Sequence, residues 1–240
     1  MEVLLVRGRF HWGFSVKYPL QSAAQFSLLA PPPTALLGAL AYGCNDGVET
    51  SEDGRSAAAK LLKYVRWAAF GFDEHIHGLR LRLLAVADMT RNIAAPYVRE
   101  AEQALFSVQA MGKVYVAGMR VKLAYFGEGL SGLMRCGWQI TRIGSKESLF
   151  EPAEVELLKA ESTGAKRFAT SFYVRADVAK PLDPTKVAEL EVWPLAEEPF
   201  YLWKGRPKEV IKLYLPARFE EVEYEGENVV KFGEELYAVP

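Results

Sequence analysis

The sequence predicts an α+β fold: a ferredoxin-like (RRM-like) domain over residues 1–180, followed by a small β-rich region over 181–240. Three observations predict it. Apolar and charged residues alternate with a period of two at 3–17, 79–88 and 114–126, which marks strands with one greasy and one basic face. Apolar residues three and four apart mark helices at 34–43 and 56–70. With a short helix and further strands downstream, the order becomes strand, helices, strand, strand, helix, strand, which is that of a ferredoxin-like unit.

The first strand puts Leu4, Val6, Phe10, Trp12, Phe14 and Val16 on one face and Arg7, Arg9, His11, Ser15 and Lys17 on the other. Gly8 and Gly13 interrupt it, and a typical strand is only about 5–6 residues long, so a bend or bulge is expected at one of them. Prolines 31–33 extend the backbone ahead of Thr34, a candidate N-cap. The helix after it runs through Leu36, Leu37 and Leu40 to Gly43, with Gly38 placed to let its backbone lie close against a sheet. Residues 45–54 read as a turn. The helix at 56–70 buries Leu61, Leu62, Val65, Ala68 and Ala69 and turns Lys60, Lys63 and Arg66 to solvent.

The second strand sets Arg80 and Arg82 opposite Leu79, Leu81 and Leu83; the third sets Arg120 and Lys122 opposite Met119, Val121, Leu123 and Tyr125. Between them, 89–113 is too polar and too long for a tight hairpin and reads as an insertion carrying Arg91, Asn92, Pro96, Arg99 and Lys113. Four glycines then frame a short helix through Leu130, Leu133 and Met134, followed by a Thr-Arg-Ile-Gly-Ser-Lys-Glu-Ser stretch at 141–148 and strands at 155–159 and 168–178. From Pro181 the composition shifts to Pro, Glu and aromatic residues, with short strands near 187–193, 209–215, 220–224 and 228–232.

Half of the 240 residues are hydrophobic, which argues against disorder. No signal-peptide pattern is visible, and the longest apolar run, 26–43, is broken by its prolines, so a soluble cytoplasmic protein is expected. Cys44 and Cys136 have no metal-ligand spacing and are expected as reduced thiols. The net charge of −1 hides an asymmetry: residues 1–150 carry 17 Lys or Arg against 12 Asp or Glu, and residues 151–240 carry 12 against 18. A polyanion would meet the first part of the chain, through clustered charges rather than a globally basic surface.

The 141–148 stretch has the chemistry of a phosphate contact. Gly144 permits close approach, Ser145 and backbone N–H groups can donate to phosphate oxygens, and Arg142 and Lys146 supply charge. It lacks the spacing of a Walker loop, and a tight turn with exposed charges is the alternative reading.

Two segments carry a family resemblance. Pro33-Thr34-Ala35-Leu36-Leu37-Gly38-Ala39-Leu40 resembles the first helix of the fifth family of CRISPR-associated proteins, within the RAMP superfamily. Arg142-Ile143-Gly144-Ser145-Lys146-Glu147-Ser148 resembles an Arg-Ile-Gly-Gly-Lys-Glu-Ser segment of its archaeal members, with Ser145 in place of a glycine. The resemblance spans nearly the whole chain. It implies a non-catalytic subunit of a type I-A-like CRISPR surveillance complex (Cascade) in antiviral defence. Such a subunit grips the 5′ handle of the guide crRNA and caps the backbone filament. Its partners would be crRNA, the backbone subunit and the large subunit, with no cofactor, metal, membrane or small-molecule substrate. Under it, 89–113 is a thumb, and the RNA-binding residues are Arg142, Gly144, Ser145, Lys146, Arg91, Asn92, Arg99, Lys113, Arg7 and Arg9.

The enzymatic rival is a metal-independent endoribonuclease that processes precursor crRNA. It needs a base for the 2′-hydroxyl and a cation for the phosphorane, and His11, beside Arg9 and Lys17, is its candidate. His75 and His77 read as loop residues. A third reading is a protein-interaction scaffold using the aromatic residues Trp193, Phe200, Tyr201, Trp203, Tyr214 and Phe219. No G-x-S-x-G, G-x-G-x-x-G or H-E-x-x-H pattern supports hydrolase, dinucleotide or zinc-protease chemistry.

Overall fold

Strand β1 (Glu2–Phe10) is the centre of the molecule: Val3, Leu4, Leu5 and Val6 are all fully buried. Burial on both faces is a departure from the expected wet basic face, and the sheet topology explains it. A computed structural model describes residues 1–19, 26–44, 56–73, 84–93, 106–116, 118–200, 209–217 and 220–240, with 84–93 and 106–111 as backbone only.

After β1 come β2 (Gly13–Phe14), helix α1 (Pro33–Cys44), a 3₁₀ helix (Ala57–Lys63) and β3 (Val65–Phe72). Then follow β4 (Leu84–Ile93), β5 (Phe106–Tyr115), β6 (Arg120–Gly127), a 3₁₀ turn (Leu130–Leu133), α2 (Met134–Trp138) and β7 (Phe150–Lys159). The last third holds β8 (Glu161–Ser162), β9 (Arg167–Thr170), β10 (Val174–Arg175), β11 (Ala179–Pro181), β12 (Val187–Val192), β13 (Ile211–Pro216), β14 (Val222–Gly226), β15 (Val229–Phe232) and β16 (Glu235–Ala238). The central sheet is antiparallel in the order β3-β6-β1-β7.

The even residues of β1 face the helices, as the alternation predicts. A Cβ on Gly137 of α2 would stand 3.2 Å from a Val6 methyl, and on the same side of β6 the Tyr125 hydroxyl donates to the Leu36 carbonyl of α1 at 3.1 Å. The odd face lies under the C-terminal strands. Tyr237 stacks on Phe126 at 5.0 Å, Phe232 meets it edge-on at 5.4 Å, and the Trp67 indole donates to the Tyr237 hydroxyl at 2.7 Å. Val3 and Leu5 are therefore apolar for the same reason as Leu4 and Val6. Burying each such side chain contributes roughly 1.5–3 kcal/mol.

Several elements differ from their sequence expectation. The helix predicted over 56–70 is a seven-residue 3₁₀ helix followed by β3. Val65 and the run from Trp67 to Phe72 are buried, and a strand covered on both faces loses its alternation and imitates a helical stripe. Thr34 lies inside α1 rather than at its cap, because Pro33 opens the helix and the Pro32 carbonyl accepts from Ala35 and Leu36. Gly38 has nothing within 4 Å of a Cβ position and lines a groove of about 320 Å³. The close approach falls at Gly43, whose Cβ would stand 2.5 Å from the Cys136 carbonyl oxygen.

That approach also overturns the expectation of free thiols. Cys44 and Cys136, 92 residues apart, form a disulfide that joins the end of α1 to α2. The chain between them hides the adjacency from any spacing argument. A bend or bulge is expected at one of the two glycines of the first strand; both are irregular, with a register shift at Arg7/Gly8 against β7 and a φ of +142° at Gly13. The β4–β5 hairpin, paired from Leu84↔Tyr115 to Ile93↔Phe106 and joined to β2, starts before and ends after the insertion expected at 89–113, so it takes in the end of the expected second strand and the start of the third. Of the expected second strand at 79–88, residues 84–88 belong to β4, and 79–83 lie outside the described residues. No described helix is long and apolar enough to cross a membrane.

Three small sheets make up the C-terminal region, in the orders β10-β13-β12, β11-β14-β9 and β16-β15-β8. Strands from Glu161 onward thus pair with strands beyond residue 180.

Candidate nucleic-acid interface

Ser15 is the structural centre of the candidate site. It is 6% exposed, and three separate segments meet on it. Its N–H donates to the Ser148 hydroxyl at 3.1 Å, its hydroxyl donates to the Gly112 carbonyl of β5 at 2.7 Å, and its carbonyl accepts from the Ser145 N–H at 3.1 Å. The 141–148 stretch, the base of the β4–β5 hairpin and the segment after β1 are thereby held as one unit. Every polar group of a buried serine is used, which such burial requires.

The stretch itself is a tight turn closed by an Arg142↔Leu149 bridge. Ile143 and Ser148 are fully buried; Ile143 donates to the Ser148 carbonyl and Ser148 to the Ser145 carbonyl. The Ser145 and Ser148 hydroxyls share a 2.7 Å hydrogen bond. Gly144 has a φ of +97°, and a Cβ there would stand 2.7 Å from the Ser15 carbonyl oxygen. The glycine thus serves the approach of the chain's own backbone. Ser145 needs no such freedom: Asn228 is the one non-glycine residue with positive φ among those described.

Around the turn stand charge and aromatic surface. Lys146 and Glu147 are exposed, while the Arg142 guanidinium lies 4.5 Å from the centre of the Tyr42 ring on α1. Trp12 donates its indole N–H to the Glu147 carbonyl and packs on Tyr115 at 5.4 Å, tying the turn to the hairpin a second time.

The arginines of β1 are placed differently. Arg7 donates to Glu154 at 2.9 Å and to Glu156 at 2.6 Å, and Arg9 to Glu151 at 2.8 Å, all on β7. Burial opposes the Arg7 charge, but the hydrogen bonds it donates to Glu156 and Glu154, with their negative charges, outweigh it and raise its pKa. The neighbouring Lys122 is buried against Glu235 at 2.7 Å. On adjacent strands, Arg7 and Arg9 of β1 and Lys122 of β6 are thus met by carboxylates of β7 and β16. His11 is half exposed, with Nε2 3.7 Å from Glu151.

Lys113 is partly buried on β5 opposite Val86. Arg91 and Asn92 lie on β4, opposite Val108 and Ser107. Arg99, His75 and His77 fall outside the described residues. No group of three or more His, Cys, Asp or Glu residues suited to a metal ion occurs among the described residues. The turn and the hairpin base therefore converge, whereas Arg7 and Arg9 spend their charge on β7. Sequence reasoning missed Ser15, Trp12 and Tyr42. Only the paired serines of the stretch, three residues apart, carried a local signal, that of a self-bonded turn.

No family model matches the chain. It is 31% identical to the CRISPR system aCascade subunit Cas5 1 of Saccharolobus solfataricus, over 95% of this chain and 95% of that protein. It is 30% identical, with the same coverage, to the CRISPR-associated protein Cas5 3 of the same organism. Among solved structures, a CRISPR protein from Archaeoglobus fulgidus aligns over 98% of this chain and 97% of its own with a TM-score of 0.61 and 19% identity, a likeness of fold.

Proposed function

The chain belongs to the Cas5 family of CRISPR-associated proteins, and from that membership we propose that it is a Cascade subunit holding the 5′ handle of the guide RNA without cleaving it. The observation that carries the proposal is the turn at 141–148. It is stitched to two other segments through Ser15 and carries Arg142 and an exposed Lys146. A rigid, cationic turn suits recognition of a phosphate backbone by shape and charge. The four strands in the order second, third, first, fourth support a ferredoxin-like reading of the central sheet. In this reading the β4–β5 hairpin is the thumb that meets the backbone subunit, and the strands after residue 180 form the appendage that supports protein partners.

The test is a titration of the full chain with handle RNA in EDTA across a range of salt. Arg142→Ala with Lys146→Ala weakens binding and lowers the salt slope by up to about two phosphate contacts, roughly 1.4 in log–log units for a single strand. Unchanged affinity and slope in this variant remove the turn from the site. The RNA recovered afterwards is expected intact; cleavage that disappears in His11→Ala overturns the non-catalytic reading.

A further inference from the structure

Three large apolar side chains stand exposed at or beside the turn, and two of them are aromatic; the third, Leu149, closes the turn and is 50% exposed. Tyr42 in the last turn of α1 is 41% exposed, and Trp138 at the end of α2 is 52% exposed. They leave one rigid junction. The disulfide brings Cys44 and Cys136 to a Cα separation of 4.7 Å, and a Cβ on Gly43 would stand 2.5 Å from the Cys136 carbonyl oxygen and 3.2 Å from the Gln139 carbonyl carbon. Tyr42 adjoins Gly43 and Trp138 adjoins Gln139 in sequence, so the backbone that carries each ring is anchored at this contact. Arg142 lies over the Tyr42 ring and orients it. Arg142, 4.5 Å from the Tyr42 ring centre, brings positive charge to them, and the turn carries an exposed Lys146 as well.

Exposed aromatic rings among cations fit one kind of ligand better than another. An apolar protein segment would use the rings and leave the charges idle. An unpaired nucleobase stacks on a ring while its flanking phosphates take the cations, so both features are used.

We propose that Tyr42 and Trp138 form a stacking platform for unpaired bases of single-stranded RNA whose phosphates rest on Arg142 and Lys146. The proposal deepens the RNA-binding reading above and rests on it. The rings contact the bases; the Cys44–Cys136 disulfide and Arg142 position them.

Two probes separate stacking from charge: a fluorescein-labelled RNA octamer of mixed sequence, and the same octamer with abasic sites. Tyr42→Ala and Trp138→Ala each weaken binding of the octamer about tenfold, a typical value for one stacked base. Both leave its salt slope unchanged and bind the abasic octamer as the wild type does. Tyr42→Phe, which keeps the ring, keeps the affinity. If both alanine variants bind the octamer like the wild type while Arg142→Ala with Lys146→Ala still lowers the slope, the platform is overturned and the RNA reading stands. If the wild type binds neither probe, both fall. Equal losses on the two probes, or loss in Tyr42→Phe, overturn base stacking. So does unchanged RNA affinity together with failure of Trp138→Ala to co-assemble with a backbone subunit, which marks a protein contact instead.

Discussion

Lys122 and Glu235 illustrate what single residues do in this molecule. Their side chains are 7% and 12% exposed and meet at 2.7 Å, with Arg7 a further 4.0 Å from the same carboxylate. A buried ion pair adds little net stability, but removing one partner leaves the other charged and dry. Glu235→Ala is therefore expected to destabilise the fold by about 3 kcal/mol, and Glu235→Gln by less, because the amide still accepts from the ammonium. Urea unfolding of the two variants measures the difference; equal stability of Glu235→Ala and the wild type would show that water reaches Lys122. Gly144 teaches a second lesson at this scale. Its type was legible as a demand for close approach, but the partner it admits is the Ser15 carbonyl of the same chain.

Among the elements, α1 and α2 depend on each other through the Cys44–Cys136 bond, which closes a loop of 92 residues. The chain-entropy account gives such a loop a stabilisation of up to about 4–5 kcal/mol. Cys44→Ser with Cys136→Ser, or reduction of the wild type, should lower the melting temperature, and reductant should leave the double variant unmoved. A wild type indifferent to reductant would refute the contribution. The elements also show where sequence reading succeeds. Strand β1 was legible on its even face because Arg7 and Arg9 stand at odd positions between Val6 and Phe10, although Val3 and Leu5 are apolar too. Strand β3 was not, because Trp67, Ala68, Ala69 and Phe70 are buried on both faces and no periodicity survives. The turn at 141–148 was legible as chemistry, while its anchorage on Ser15 and Trp12 depends on contacts across more than 130 residues.

At the scale of the whole molecule, the C-terminal strands cover the face of the sheet that the sequence left wet. That cover was hidden because its strands are short and pair over long separations, as β8 does with β15. It also encloses tyrosines. Tyr125 under α1, and Tyr173, Tyr224 and Tyr237 among the C-terminal strands, are buried, and burial pushes the pKa of each well above the ordinary tyrosine range. Folded, they hold their protons where the unfolded chain has lost them, so this stability is complete below about pH 10 and falls above it. The decline approaches about 1.4 kcal/mol per pH unit for each such tyrosine. Urea midpoints measured through the alkaline range should drop in step with tyrosinate absorbance; tyrosinate appearing well before unfolding would show these rings accessible. The carboxylates of β7 have a kinetic consequence as well. Because Glu151, Glu154 and Glu156 quench Arg9 and Arg7, a distant polyanion feels little pull toward β1. It is drawn to the stretch around Arg142 and turned away by residues 151–240, with their surplus of six negative charges. In the proposed RNA encounter, orientation is thus chosen in flight: salt slows arrival, and the stacked rings set the dwell time.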